Sequence, residues 1–382
     1  MTKILFLLIA LITLALLPAQ ETSTAISDFS FRLLQQLETE ENLVFSPYSI
    51  YTALAMTSEG AAGDTQKQMA AILQNPQSTD LAKLQLSLSQ NTGKYLQWQV
   101  ANSLWLEQDF KVEKKFLKIL QREYLAEIQR ADFIRQPQQS LQMINNWVSD
   151  NTQGKIPAIL NELDPLTRLV LINAVYFLGD WEYPFRAEVS HDDDFHTSQT
   201  TVSVPFMQQT HTFYYYDDAF LQAVMLPYKD SDFAMLLILP REKGISELLN
   251  GFDVNFFDRI RNSQENQRVD LSLPRFQLDY KRELSADLSI LGMPLAFAPQ
   301  ADFSRISKKH SLMIDKVMHR AFIVVNEKGT EAAAATAVSI NLTSAGPPKT
   351  PIIFKADHPF LFLLLEKQTG TILFTGCVND PR

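Results

Sequence analysis

The sequence predicts an α+β domain, and three observations point there. Helical periodicity gathers early in the chain, strand-like runs gather late, and no low-complexity or Pro/Gly/Ser-rich linker divides the 382 residues. Hydrophobic residues make up 46% and charged residues 20%, which excludes a disordered chain and suffices for a sizeable core. A single domain is expected over residues 20–382.

Taken in order, the chain opens on Lys3 and an apolar run from Ile4 to Leu17, followed by Pro18-Ala19. That run is too short to span a bilayer comfortably and reads as an export signal over residues 1–19, cleaved near Ala19-Gln20. An uncleaved anchor is the alternative. Ile26, Phe29, Leu33 and Leu37 recur at helical spacing, with Ser27-Asp28 as candidate cap. Lys111, Lys114, Lys115, Lys118 and Arg122 lie on a predicted helix, as a solvated face offset by Glu113 and Glu123 rather than a polyanion site. Leu141 to Val148 and Ser246 to Phe257 also read as helices. Leu169 to Gly179 is nearly all apolar, as a strand covered on both faces would be. Ala223–Pro227 with Phe233–Pro240, and Phe360–Leu365 with Thr371–Val378, flank turn-rich segments and predict two hairpins. Cys377 is the only cysteine, so no intramolecular disulfide is expected, and its strand-like setting predicts burial.

Composition also narrows function. A net charge of −9 and a pI near 5.3 argue against nucleic acid or an anionic membrane as main partner. No G-x-S-x-G elbow, H-E-x-x-H, P-loop, C-x-x-C or dinucleotide glycine pattern occurs, so neither an enzyme nor a cofactor is expected. His191-Asp192-Asp193-Asp194-Phe195-His196 carries ligand-type residues, but three adjacent acids on a loop read as solvated charge, and no metal is expected. His319, in the strand-like run Lys316–Phe322, reads as a hydrogen-bonded core histidine.

The most informative segment runs from Glu327 to Ser344. At period two, Thr330, Ala332, Ala334, Thr336, Val338, Ile340 and Leu342 form a small-to-apolar face. The other face is small-to-polar, the alternation of a strand with one buried side. Yet the segment leads into Thr343-Ser344-Ala345-Gly346-Pro347-Pro348, which reads as an exposed loop. Alanine propensity supports a competing helical reading of Glu331 to Val338. Gly329 supplies the backbone freedom a hinge requires.

This arrangement resembles the proximal hinge and reactive loop of the serpins, a family of suicide protease inhibitors. Four further segments match serpin motifs in the expected order: Asn42–Ile50, Asn173–Trp181, Asp194–His196 and Phe354–Leu364. The resemblance runs from about residue 26 to the C-terminus. It implies about nine helices around one large and two smaller β-sheets, with a reactive loop at about 328–350. It also implies a hinge of Gly329, Thr330, Glu331, Ala332, Ala333, Ala334 and Ala335. A breach cluster would comprise Trp181, Arg275 and Glu327, where Arg275 replaces the more usual lysine and would pair bidentately with Glu327. A shutter of mutually satisfied polar groups would comprise Ser46, Ser49, Asn173 and His319.

The implied mechanism is mechanical. A serine protease acylates on the exposed loop, the severed loop inserts into the large sheet from Thr330 onward, and the trapped protease is deformed. Counting fourteen residues beyond Gly329 places the scissile bond at Thr343-Ser344, with Leu342 and Ala345 as alternatives. These side chains suit an elastase-, subtilisin- or chymotrypsin-like target. Asn341-Leu342-Thr343 is a glycosylation sequon, which favours a host that does not glycosylate exported proteins. The expected protein is a monomer, secreted or periplasmic, partnered by its protease in a covalent acyl complex and free of membrane after signal removal. A non-inhibitory carrier, storage or chaperone role is the alternative.

Overall fold

The computed structural model describes residues 20–37, 40–75, 77–90, 92–164, 167–242, 244–309, 311–330 and 350–382, with only the backbone of 99–101 and 173. The apolar spacing of Ile26, Phe29 and Leu33 does build a helix, α1, over residues 20–36, with those three side chains buried. It starts well before Ser27-Asp28, so these residues do not cap it. Ser27 is buried within the helix and Asp28 pairs with Arg32 one turn on, at 2.9 Å. The other helices are α2 (Pro47–Ser58), α3 (Gly63–Ile72), α4 (Ser78–Gln90), α5 (Lys114–Glu123), α6 (Pro137–Asn151), α7 (Ile245–Leu249), α8 (Val254–Asn262) and α9 (Ser285–Leu291). The single helix expected over Ser246–Phe257 is therefore two. Asp253 caps α8 by accepting from the Phe256 N–H, and the cap restarts the chain after the break at Gly251.

Two hydrogen-bonded sheets carry the domain. One holds β1 (Leu43–Phe45), β5 (His191–His196), β6 (Thr201–Asp217), β7 (Leu221–Pro227), β8 (Phe233–Pro240), β9 (Glu265–Pro274), β13 (Ile352–Lys355), β14 (Phe360–Glu366) and β15 (Ile372–Val378). Both expected hairpins, β7–β8 and β14–β15, pair antiparallel here. The long strand β6 pairs with β9 through Phe206–Tyr215 and with β7 through Tyr214–Asp217, so it joins two smaller sheets edge to edge. His191–His196, expected as a loop, is a strand because every residue of it pairs with β6.

The second, larger sheet runs β10 (Phe276–Glu283), β11 (Met318–Val325), β12 (Gly329–Thr330), β4 (Leu169–Asp180), β2 (Leu96–Glu107), β3 (Glu127–Ala131). Its β4 is covered on both faces, as its nearly all-apolar run predicts. Ile172 and Ala174 pack with Ile144 and Val148 of α6, while Val175 and Phe177 join the main core beneath α2 and the other sheet. Cys377 is buried in β15.

Candidate functional site

The site is a seam in the larger sheet. Strands β4 and β11 lie side by side. Among the described residues their only shared partner is the two-residue β12, through Thr330 with Val325 and Gly179, and Gly329 with Asp180. Over the rest of their length, among the described residues, each pairs on its far edge alone, β4 with β2 and β11 with β10. Two facing strand edges without a mutual ladder can accept another strand. Small cavities of about 20 and about 30 Å3 lie along this seam, each lined by Leu171 of β4 and Met318 of β11.

A tight reversal feeds β12 into the seam. Asn326 donates its N–H to the Gly329 carbonyl at 3.0 Å, and its side-chain oxygen accepts from the N–H groups of Lys328 and Gly329. Trp181 brackets the turn. Its N–H donates to the Lys328 carbonyl at 2.8 Å and its indole N–H to the Asn326 carbonyl at 3.0 Å. A Cβ on Gly329 would stand 1.9 Å from the Gly179 oxygen, so only glycine fits this rung. The expectation that the whole hinge is exposed before cleavage needs correction. Thr330 is buried, with its hydroxyl 2.6 Å from that of Tyr228, because its rung to Gly179 places it inside the sheet.

Beside the turn, Arg275 and Glu327 meet. Arg275 sits between β9 and β10, and both its Nε (2.8 Å) and its Nη2 donate to Oε1 of Glu327. The guanidinium therefore converges on one carboxylate oxygen instead of taking both. Ser190 Oγ donates to the same atom at 2.7 Å. Burial alone would raise the Glu327 pKa, but the hydrogen bonds from Arg275 and Ser190 outweigh it and hold the carboxyl below its ordinary value.

Lower in the seam, α2 meets β11. The Ser46 side chain caps α2 by accepting from the Ser49 N–H, and the Ser46 N–H donates to His319 Nε2 at 3.2 Å. The structure thus brings Ser46, Ser49 and His319 together, linked through backbone N–H groups. Asn173 lies in β4 opposite Asn102, and its side chain is outside the described residues. Burial pushes the His319 pKa down from 6.5 to about 3, and the donor at Nε2 fixes the neutral tautomer with its proton on Nδ1.

The hinge positions Glu331, Ala332, Ala333, Ala334 and Ala335 lie outside the described residues, as do Leu342, Thr343, Ser344 and Ala345. Elsewhere, the α5 cations line its exposed side while Phe116 and Leu120 face the core. Asp193 pairs with Lys355 at 2.7 Å, and among the described residues no three ligand-type side chains cluster to hold a metal. Sequence reading missed Tyr228, Ser190 and Asn326. Asn326 carried a faint signal, an Asn ahead of a glycine at a strand end, whereas Tyr228 carried none.

Comparison with known proteins bears on this site. The model of the family described as serpin (serine protease inhibitor) matches residues 24–381. An uncharacterized serpin-like protein of Thermococcus kodakarensis is 39% identical, covering 94% of this chain and 85% of its own length. A serine protease inhibitor of Cyanea capillata is 35% identical over 96% of this chain and 99% of its own. Among solved structures, the thermophilic serpin tengpin in its native state superposes with a TM-score of 0.86 at 32% identity, over 94% of both chains. Human thyroxine-binding globulin complexed with its hormone gives the same TM-score at 28% identity, over 95% of this chain and 99% of its own.

Proposed function

The chain belongs to the serpin family, whose members generally inhibit serine proteases, and from that premise we propose that it is an exported suicide inhibitor of a serine protease. The observation that carries this reading is the seam: among the described residues β4 and β11 share no ladder, and Gly329 and Thr330 of β12 already occupy the first rungs between them. A protease serine would attack the Thr343 carbonyl and release the Ser344 amine with the C-terminal segment. The loop would then extend β12 down the seam, adding main-chain hydrogen bonds to the two facing edges and burying Val338, Ile340 and Leu342. Trapping requires that insertion outrun deacylation, which a kinetically trapped starting fold supplies. Thyroxine-binding globulin shares the architecture, so the choice between inhibitor and carrier rests on the hinge, whose inserting face holds only small or apolar side chains.

Incubation with elastase-, subtilisin- and chymotrypsin-like proteases tests the proposal. An adduct surviving SDS is expected, with mass spectrometry finding a released peptide that starts at Ser344. Digestion of the loop by every protease, each retaining full activity, would sink the inhibitory reading in favour of a non-inhibitory one.

A further inference from the structure

We propose that Tyr228 is a positioning residue that holds Thr330, and with it the leading rung of the insertable strand, in the seam before any cleavage. The consequence for inhibition rests on the function proposed above; the holding is a property of the uncleaved fold.

Thr330 is fully buried, and its one side-chain hydrogen bond among the described residues is the 2.6 Å contact with the Tyr228 hydroxyl. A buried hydroxyl without a partner is destabilising, so each group supplies what the other needs. The Tyr228 ring is not free to swing away. It stacks on Trp181 at 4.6 Å with an interplanar angle of 17°, and meets Phe177 edge-on at 4.9 Å. The backbone on either side is pinned, the Tyr228 N–H to the Phe233 carbonyl at 3.0 Å and the Lys229 N–H to the Asp180 carbonyl at 2.8 Å.

Glycine makes this approach feasible. A Cβ on Gly179 would stand 2.6 Å from Tyr228 Cδ1, so the ring occupies the space a side chain would take. Burial also raises the phenol pKa, so the hydroxyl keeps its proton at any working pH. With the first rung already paired, insertion after cleavage extends a strand and need not start one. The ordering cost of bringing the loop to the seam is then met before the protease arrives.

The test uses the full-length protein and four variants: Tyr228→Phe, Thr330→Val, their combination, and Thr330→Ser, which retains a hydroxyl. The first readout is amide hydrogen exchange of Trp181 and of residues 326–330 in the uncleaved protein. Each single removal should speed exchange there by roughly five- to tenfold. The double variant should exchange no faster than either single, Thr330→Ser should stay near wild type, and the β14–β15 hairpin should not change. Unaltered exchange in either single variant, or full additivity in the double, overturns the proposal. If Tyr228→Phe fails to fold, Thr330→Val against Thr330→Ser still decides it. The second readout is the stoichiometry of inhibition, expected to rise severalfold in both singles and no further in the double. Absence of any adduct in wild type would refute the inhibitor reading while leaving the exchange result to judge the hold.

Discussion

Replacing His319 by glutamine tests whether a neutral imidazole is built into the seam. Glutamine keeps an acceptor for the Ser46 N–H but binds no proton in the range of interest. In the folded protein His319 titrates near 3, against an ordinary 6.5, because burial disfavours its charged form. The unfolded chain therefore takes up a proton first as pH falls. Stability contributed by the neutral imidazole is intact above 6.5, declines below it, and stops declining only near 3. At pH 5, 1.5 units below the ordinary value, the loss is about 2 kcal/mol. Urea unfolding of wild type and His319→Gln at pH 7.5 and pH 5 measures it, since other titrating groups cancel in the comparison. Unfolding rates serve where refolding does not regain the starting fold. Wild type should lose about 2 kcal/mol more than the variant between the two pH values. Parallel losses in the two proteins would refute the argument, because His319 would then be charging freely within the folded seam.

Two further outcomes follow from the turn that feeds β12. Glu327→Lys sets two cations together and leaves Ser190 without its acceptor; with Glu327 14% and Arg275 44% exposed, the loss should be about 1–2 kcal/mol, between an exposed pair and a buried one. A loosened seam should admit the loop of a second molecule, giving open-ended polymers on native gels after mild heating, and a variant as monomeric as wild type would count against the pair's role. Thr330→Arg places an unpaired charge in a buried rung, so unlike a change on an exposed loop it should disturb the uncleaved fold by several kcal/mol or expel β12. It should then be cut at the same bond without trapping the protease, and its cleaved form should gain less heat stability than wild type; equal inhibition by both proteins would show the register to be wrong.

Much of this protein was legible in its sequence because local periodicity and motif order are local properties. The apolar run Leu169–Gly179 determined a strand covered on both faces, the Tyr228–Asp232 segment between two apolar runs determined a hairpin, and the ordered motifs determined the family. Even the meeting of Arg275 with Glu327 was foreseen, although only through resemblance. What failed locally did so for local reasons of competition. Ser27-Asp28 had the chemistry of a cap but lies inside a helix that begins earlier, and His191–His196 had the composition of a loop but acquired a strand partner in β6. Only the tertiary structure decided how deep Gly329 and Thr330 sit. Thr330 is inside the sheet because its rungs pair with Gly179 and Val325, and its hydroxyl meets that of Tyr228 from 102 residues away, where Gly179 leaves room for the ring. Such a contact has no periodic trace in the chain, since it depends on which distant groups must share a buried hydrogen bond once the strands have packed.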